Sequence, residues 1–359
     1  MKLSVCLIVK NEEEVLERCL TCAKKFADEI VVVDTGSKDR TKEIANKFAD
    51  KVCDFKWIDD FAAARNFAFE KASSDMLMWL DADDVVLDED AEKICKLKTI
   101  ENPADLYMCD YVLSHEEDMT PIFSYKRERI FLKSKGYRWV DRVHEVIVPS
   151  GRVENADIRV YHKKEKAAPS GRNLRIYRKM KREHQGFSPR QQFYYARELM
   201  FNSHIKEAVR EFNKFLTLPN AWVENKIQAC IDLSSCYSQL GENERARLSL
   251  FKSFEYSSPR SEVTCRLGNL FLKENKYNEA AYWFKQSIAQ AGSVGEGAFV
   301  EKELHDFIPA LQLCYVYSLM GDYENSYKYH LISRSLRPND KAVLHNQEFF
   351  SKHFENLAK

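Results

Sequence analysis

The sequence has none of the glycine-rich loops with which many proteins bind phosphates. Glycine occurs only 11 times, and neither GxxxxGK[ST] nor GxGxxG is present. These absences weigh against a P-loop NTPase and against a dinucleotide enzyme, because both need backbone amides presented by such loops. A Gly-x-Ser-x-Gly elbow is also missing, which weighs against the hydrolases built around that turn.

Long apolar runs and a charge of one sign are missing as well. No run approaches the roughly 20 residues that cross a bilayer, and the run at 3–9 is too short for a secretion signal. Lys+Arg and Asp+Glu both number 55, so bulk charge does not favour nucleic acid. The ten cysteines are scattered, and we interpret them as reduced core thiols. We expect a cytoplasmic protein with no transmembrane segment and no nucleic-acid partner.

The first half of the chain alternates short apolar runs with amphipathic helical segments. The apolar runs lie at 3–9, 30–33, 52–57 and 76–80, and the helical spacing lies at 12–26, 39–48 and 61–72. This alternation predicts an α/β fold with a mainly parallel sheet. Parallel sheets bind ligands beyond the carboxyl ends of their strands, and polar clusters follow three of the four runs.

Acidic residues after the fourth run are candidates for a cation site. Asp81 and Asp83 are two residues apart at a predicted strand end, where both carboxylates can reach one ligand. Mn²⁺ and Mg²⁺ prefer oxygen ligands and often share them with substrate phosphates. The alternative is an ordinary solvated acidic turn.

Asp34 and Arg65 are further candidates. Asp34 directly follows the second run, where a carboxylate can accept hydrogen bonds from the base or ribose of a nucleotide. A structural Asx-turn is the alternative for Asp34. Arg65 lies in an alanine-rich helix and could contact a phosphate, although a structural salt bridge would also account for it.

The segment 139–145 combines aromatic, acidic and imidazole groups. A carboxylate from Asp141 or Glu145 could take a proton from an incoming nucleophile, and Trp139 suits the apolar face of a sugar ring. If the segment is one strand, alternation places these three side chains on one side. His162 follows as a potential metal ligand or phosphate contact, with an ordinary structural histidine as the alternative.

The second half predicts an all-α repeat. Aligning IKEAVREF, ERARLSLF, NEAAYWF and ENSYKYH gives a column of small residues, Ala208, Ala246, Ala280 and Ser326. Five residues earlier, the column holds types that tolerate left-handed backbone: Ser203, Gly241, Asn275 and Gly321. Four residues later it holds Phe212, Leu250, Phe284 and His330. The interval of 34 residues (280−246) matches the tetratricopeptide (TPR) repeat of paired helices.

Taken together, these motifs resemble the family 2 glycosyltransferases of GT-A fold. The matching stretches are SVCLIVKNEEE, EIVVVDTGSKDRT, ARN, WLDADD and VHE, in the family's order over about residues 1–165. The chain also resembles the subgroup with C-terminal TPR-like repeats, a grouping that includes the sublancin-type peptide S-glycosyltransferases.

The resemblance implies an inverting transfer from a nucleoside-diphosphate sugar, usually a UDP-sugar, with Mn²⁺ or Mg²⁺. Asp83 and His162 would bind the metal, and Glu145 would act as the base, with Asp141 as its substitute. The residues expected to contact the donor are Val9, Asn11, Glu13, Asp34, Arg65, Asp81, Trp139 and His144.

We predict a catalytic domain at 1–165, a linker or helix at 166–190 and a TPR-like domain at 191–359. The repeats favour a peptide or protein acceptor, or a homodimer, because such arrays form binding surfaces. Two other interpretations are a glycosyltransferase that acts on a cell-envelope or lipid-linked glycan, and a non-catalytic TPR adaptor with a nucleotide-binding domain.

Overall fold

The computed structural model describes residues 1–163, 171–183, 186–291 and 300–357. Contacts divide the chain into two compact units, Met1–Gly186 and Phe187–Lys359. The predicted domain boundaries stay predictions. Residues 164–165 of the predicted catalytic domain and 166–170 and 184–185 of the predicted linker lie outside the described residues.

The first unit is an α/β domain. Its strands are β1 (Leu3–Val9), β2 (Glu29–Asp34), β3 (Lys51–Asp54), β4 (Met76–Trp79), β5 (Asp84–Val85), β6 (Leu106–His115), β7 (Pro121–Leu132), β8 (Trp139–Val140), β9 (Val146–Ile147) and β10 (Val153–His162). Its helices are α1 (Leu16–Ala23), α2 (Thr41–Phe48), α3 (Phe61–Lys71), α4 (Asp88–Leu97) and α5 (Arg172–Arg182).

Eight of these strands form one sheet in the order β3-β2-β1-β4-β7-β6-β10-β5, and β8 pairs with β9 separately. The strands β1 to β4 are mutually parallel, and β10 is parallel to β6. β7 is antiparallel to both of its neighbours. The predicted α/β fold with a mainly parallel sheet is confirmed.

The central strands are apolar throughout because both faces of the sheet are covered. Leu3, Val5 and Leu7 of β1 belong to one core, together with apolar residues of α1, α2 and α4. Cys6, between them, belongs to the opposite core, which includes α3. Alternate residues of a strand point to opposite faces, so a strand buried on both sides needs a continuous apolar run.

The second unit consists of helices: α6 (Pro189–Phe201), α7 (Ile205–Leu216), α8 (Val223–Gln239), α9 (Asn243–Lys252), α10 (Ser261–Lys273), α11 (Tyr277–Ala289), α12 (Phe307–Leu319), α13 (Tyr323–Leu336) and α14 (Lys341–Leu357). The first eight form four successive pairs. Each pair is joined at a residue of the predicted column, and all four have positive φ: Ser203 (63°), Gly241 (77°), Asn275 (58°) and Gly321 (75°). The predicted TPR-like helical repeat is confirmed.

The four turns share one hydrogen-bond arrangement. The amide that follows the left-handed residue donates to the carbonyl five residues before it, as from His204 to Leu199 (2.8 Å) and from Lys276 to Phe271 (3.0 Å). This bond ends the first helix of each pair and sets the direction of the second. The two aligned columns that follow, from Ala208 to Ser326 and from Phe212 to His330, are fully buried.

The ten cysteines are all free thiols, and most are buried. Cys19 and Cys22 have the spacing of a Cys-x-x-Cys pair, but they lie inside α1 and bond to backbone carbonyls. Burial raises the pKa of both thiols, which is the opposite of what a reactive pair needs. Among the residues that the structure describes, no helix is long and apolar enough to cross a bilayer.

Candidate active site

The ends of β1 and β2 form a tight polar loop around Asp34. Its Oδ1 accepts hydrogen bonds from the amides of Gly36 and Ser37, both at 2.9 Å. Its Oδ2 is buried and has no hydrogen-bond partner within the described part of the chain. A buried carboxylate oxygen without a donor is costly, so this atom is suited to accept a hydrogen bond from a ligand.

Three of the predicted donor-binding residues build that loop. The carbonyl of Val9 accepts from the Thr35 amide (2.9 Å). Asn11, at φ 56°, donates its amide to Ser37 Oγ (2.9 Å) and accepts from the Lys38 amide through Oδ1 (2.8 Å). The Glu13 carboxylate likewise accepts from the amide of Arg40 (3.1 Å). These contacts hold Asp34 in place, and a direct role for them in ligand binding stays a prediction.

Arg65 joins two acids that are far apart in the sequence. Asp60 caps α3 by accepting from the amide of Ala63 (2.8 Å), and Arg65 lies in the second turn of that helix. Its guanidinium donates to Asp81 Oδ1 through Nη2 and to Glu145 Oε1 through Nε, both at 2.7 Å. The three predicted residues therefore form one charged cluster.

The rings of Trp79 and Trp139 hold the Arg65 guanidinium in place. Their centroids lie 4.9 and 4.8 Å from the guanidinium carbon. Asn66 fixes the backbone of Trp139 with two hydrogen bonds, of 2.9 and 3.0 Å. The indole Nε1 of Trp139 is buried without a hydrogen-bond partner among the described residues. Trp139 is thus placed at the cluster, as a packing partner of Arg65 with one donor unused.

Charge pairing keeps Arg65 and Asp81 of this cluster ionised. Burial would raise the pKa of Asp81, but Arg65 and Arg129 outweigh burial and lower it to about 2. Burial would likewise lower the pKa of Arg65, yet the two carboxylates raise it above its usual range. The site therefore contains a fixed anion at Asp81 and a fixed cation at Arg65 at any physiological pH.

A second cluster lies at the junction of β5 and β10, whose pairing places Asp84 opposite His162. His162 Nδ1 is 3.4 Å from Asp83 Oδ1 and 3.3 Å from Asp84 Oδ1. One ligand atom from each of these three residues lies within 4.8 Å of the others. Oxygen and imidazole donors this close together fit a divalent cation.

The protonation of these groups agrees with that fit. Burial is the main cause that raises the pKa of Asp83; His162 lowers it, and the carboxylates of Asp81 and Asp84 raise it. Burial would lower the pKa of His162, but the neighbouring carboxylates raise it. The shift at His162 reflects the negative charge of the carboxylates around it, which a cation would neutralise.

The segment 139–147 differs from the single strand that we expected. β8 ends at Val140 and β9 begins at Val146, and between them Asp141 (φ 73°) and His144 (φ 55°) turn the backbone. The side chains of this segment therefore do not alternate as in one strand, because the left-handed residues turn the backbone. Glu145 reaches Arg65 nonetheless, while the half-exposed Asp141 lies in the turn and the His144 ring stacks on Tyr177 at 6.3 Å.

Sequence reasoning missed three residues of the second cluster. Asp84 is next to Asp83 in the chain, but nothing local separates a buried acid from a solvated one. Tyr111 on β6 and Arg129 on β7 both hydrogen-bond to Asp84, at 3.0 and 3.1 Å. Neither residue stands out in the sequence, since Arg129 follows the charged residues Lys126, Arg127 and Glu128. Their contact with Asp84 depends on the order of strands in the sheet.

Residues 4–157 match glycosyl transferase family 2. The match covers nearly all of β1, all of β2 to β9 and the first half of β10, and it includes both clusters except His162. The first unit contains a family 2 glycosyltransferase domain.

Three relatives show how far this likeness extends. A TPR repeat-containing protein of Synechococcus elongatus is 35% identical over 41% of this chain and 35% of its own length. The prophage-derived glycosyltransferase SunS of Bacillus subtilis is 27% identical over 58% of this chain and 51% of its own. The lipopolysaccharide core biosynthesis glycosyltransferase LpsC of Rhizobium meliloti is 29% identical over 44% and 60%. This chain thus spans about a third to three fifths of these relatives.

Proposed function

We propose that this chain is an inverting glycosyltransferase that moves a sugar from a nucleoside-diphosphate sugar, a UDP-sugar in particular, to a peptide or protein acceptor. The observation that carries the proposal is the pair of clusters at the strand ends. Arg65 fixes Glu145 beside Asp81, and Asp83 lies with His162 in a group of donors that suits a cation. The family 2 domain supports the reaction class.

In this proposal, Asp83 and His162 would hold Mn²⁺ or Mg²⁺, which supplies Lewis-acid stabilisation of a diphosphate leaving group. Asp34 would accept a hydrogen bond from the base through its unpaired Oδ2. Asp81, a fixed carboxylate, would accept hydrogen bonds from hydroxyls of the ribose or the sugar. No other atom of the described chain competes for the Asp34 oxygen.

The Glu145 carboxylate would take the proton from an acceptor hydroxyl or thiol. The acceptor atom then forms a bond to the anomeric carbon on the face opposite the diphosphate. The bond from that carbon to the diphosphate oxygen breaks, and the nucleoside diphosphate leaves with the electron pair. Single displacement inverts the anomeric centre. Arg65 orients Glu145 through the 2.7 Å contact to Oε1.

A peptide or protein acceptor agrees with two observations. The motifs of this chain resemble those of the sublancin-type peptide S-glycosyltransferases, and the glycosyltransferase SunS is 27% identical over 58% of this chain. The second unit contains four helical hairpins of the TPR type, which present surfaces that bind peptides or a second copy of a chain. A cytosolic location belongs to the same proposal, because all ten cysteines are free thiols.

A glycan of the cell envelope is the second candidate acceptor. The similarity to LpsC, which covers 44% of this chain, favours it. The non-catalytic adaptor is less well supported, because the charged groups that the chemistry needs are present and held in place.

A thermal-shift panel of nucleoside diphosphates and their sugars, with and without Mn²⁺, tests the donor. A ligand that binds only the folded state adds about 2.7 kcal/mol at a hundred times its Kd. We expect a metal-dependent shift with UDP and with one UDP-sugar. If folded protein shows no shift with any nucleotide, the proposed donor is wrong. A shift without hydrolysis or transfer of any nucleotide sugar would favour the adaptor.

A matched pair of variants tests the base-binding residue. Asp34→Asn replaces the unpaired oxygen with a donor and should weaken UDP binding by about 10- to 100-fold, the effect of one charged hydrogen bond. Asp54→Asn is the control, because Asp54 ends the neighbouring strand in register with Asp34 but is exposed. Equal UDP affinity in the two variants would contradict the role of Asp34.

The acceptor is identified by a separate experiment, mass spectrometry of peptides and glycans that have been incubated with the protein and the donor.

A further inference from the structure

The helix α5 is rich in basic residues and contains no acidic ones. Its 11 residues, RNLRIYRKMKR, include six cations, although the whole chain has 55 cationic and 55 anionic side chains. The apolar side chains of the helix are buried. Four of its cations are exposed: Arg175, Arg178, Lys181 and Arg182. Arg175 is three, six and seven residues before the other three, so all four lie on one side of the helix, which we call the basic face.

The stability of the helix does not explain these charges. The helix dipole favours Lys181 and Arg182 near the end of α5, but it disfavours Arg175 near the start. Arg178 is three residues from Arg175 and four from Arg182, and like charges at both spacings repel each other. Residues that weaken the element to which they belong are typical of functional surfaces, so the basic face points to an anion outside the helix.

Two acids beside α5 are already paired with other cations. Asp59 accepts from Lys179, which lies outside the basic face, at 2.7 Å. Glu183, the residue after the helix, accepts from Arg142 Nη1 at 2.8 Å. Each carboxylate is therefore balanced by a cation of its own, and neither is left to neutralise the basic face.

A buried side of α5 lies against the turn that leads to Glu145. The Tyr177 hydroxyl donates to the carbonyl of Val143 (3.5 Å), and the Tyr177 ring stacks on His144 with centroids 6.3 Å apart. A helix with its side chains is about 10 Å across. A partner on the basic face is therefore held roughly one helix diameter from the turn at 141–145.

We propose that the basic face of α5 binds the surface of a membrane rich in anionic phospholipids. Its four cations extend from residue 175 to residue 182, about 10 Å along the helix axis. A bilayer presents many phosphates on a flat surface, so all four side chains can reach phosphates at the same time. Each Lys or Arg close to such a surface adds to the attraction. Because the apolar side of α5 is buried, the attraction is electrostatic and the helix lies on the headgroups without insertion.

An acidic peptide is the competing partner. Peptides commonly bind in a groove or along an open strand edge. The flank of a single helix is convex and provides neither, so its exposed cations suit an extended anionic surface better. Membrane binding does not depend on the proposed sugar transfer. It would bring lipid-linked or envelope glycans, the second class of acceptor, close to the turn at 141–145.

The experiment measures how much of the full chain sediments with vesicles, without metal or nucleotide. One set of vesicles contains only phosphatidylcholine, and the other contains equal parts of phosphatidylcholine and phosphatidylglycerol. At low salt we expect the protein to bind the second set and not the first. About 1 M NaCl should release it, because the Debye length then falls to about 3 Å. No binding to either set, or binding that salt leaves unchanged, would overturn the proposal.

Arg175→Gln combined with Arg182→Gln tests the basic face itself. The other two cations of the face stay in place because they also have contacts within the chain. Loss of two cations should weaken binding to the anionic vesicles by about 10- to 30-fold, since each contributes roughly fivefold. The control is Lys47→Gln combined with Lys96→Gln, which removes the same charge from exposed positions on α2 and α4. Circular dichroism and thermal unfolding verify that both variants are folded.

Equal losses of binding in the two double variants would show that binding follows net charge, and the assignment to α5 would be wrong. Fluorescent polyglutamate in the same buffer measures the competing partner. If polyglutamate binds through Arg175 and Arg182 while anionic vesicles do not bind, the basic face recognises acidic peptides and the membrane proposal fails. Because no nucleotide sugar is present, this failure and the failure of the proposed function are observed separately.

Discussion

Four turns of the second unit repeat one hydrogen-bond arrangement, whereas the charged contacts of the first unit's site never repeat. Each turn is closed by a bond across five residues, as from Asp322 to Tyr317. In the first unit, Arg65 reaches Glu145 across 80 residues and His162 reaches Asp84 across 78. The helical unit is specified by short-range rules, applied four times. The site depends on one set of distant partners that has no copy in the described part of the chain.

The largest expected effect tests how far the site depends on one residue. Asp83→Ala should lower turnover by at least about a thousandfold, because a metal ion contributes several kcal/mol to stabilising the leaving group. Release of nucleoside diphosphate measures the rate, and circular dichroism checks the fold. Asp88→Ala, which removes a largely exposed acid from the start of α4, should keep full activity. Full activity of Asp83→Ala would remove it from the metal site.

Glu145→Gln should slow turnover by about a hundredfold or more, since general-base catalysis contributes about 10²–10⁴. The amide can still accept from Arg65, so UDP should bind as before in the thermal-shift assay. The companion variant is Asp141→Asn, at the half-exposed turn. If Asp141→Asn is the slower enzyme of the two, the base is Asp141 and the Arg65 contact has only a structural role.

Glu29 lies outside the site, but it too depends on partners that are distant in the sequence, and the pH dependence of stability tests this. Burial would raise the pKa of Glu29, but hydrogen bonds from Lys51 and two serines lower it from 4.5 to about 2. A lowered pKa means that Glu29 stabilises the fold above about pH 4.5 and that this stability is lost as pH falls toward 2.

Glu29→Gln should therefore lower the free energy of unfolding by about 2 kcal/mol at neutral pH, an amount reduced for solvent screening. As the pH falls from about 4.5 to 2, the stability of the variant should also decrease less than that of the wild type. Urea unfolding at a series of pH values measures both. Glu70→Gln, an exposed acid of α3, is the control and should leave the profile unchanged. Parallel profiles for wild type and Glu29→Gln would refute the assignment.

The smallest effects come from the repeated turns. Gly241 has φ 77° and open space where a Cβ would lie. Gly241→Ala should therefore lower the free energy of unfolding by about 1 kcal/mol, the strain of a residue with a Cβ in the left-handed conformation. Ser203 has the same role at φ 63° with a side chain already present, so Ser203→Gly should be neutral or slightly stabilising. Thermal unfolding compares them. A stabilising Gly241→Ala or a clearly destabilising Ser203→Gly would show that the four turns are not equivalent.

Much of this architecture was predictable from residue patterns. The left-handed positions at Ser203, Gly241, Asn275 and Gly321 follow from residue type and spacing, because few residues tolerate positive φ. The parallel strands follow from their continuous apolar runs, and the polar residues Asp34 and Asp81 were expected at their ends. These features depend on residues close together in the chain, so residue type and spacing were enough to predict them.

Only the tertiary structure decided the partners of the charged residues. Arg65 could have bound a phosphate or an acid, and the placement of 141–145 in a turn brought Glu145 to it. Asp84 became a buried acid because β7 and β10 bring Arg129 and His162 against it. The physical reason is that a charge pairs with whichever opposite charge the fold places nearby. Local spacing carries no information about strand order across 40 to 80 residues.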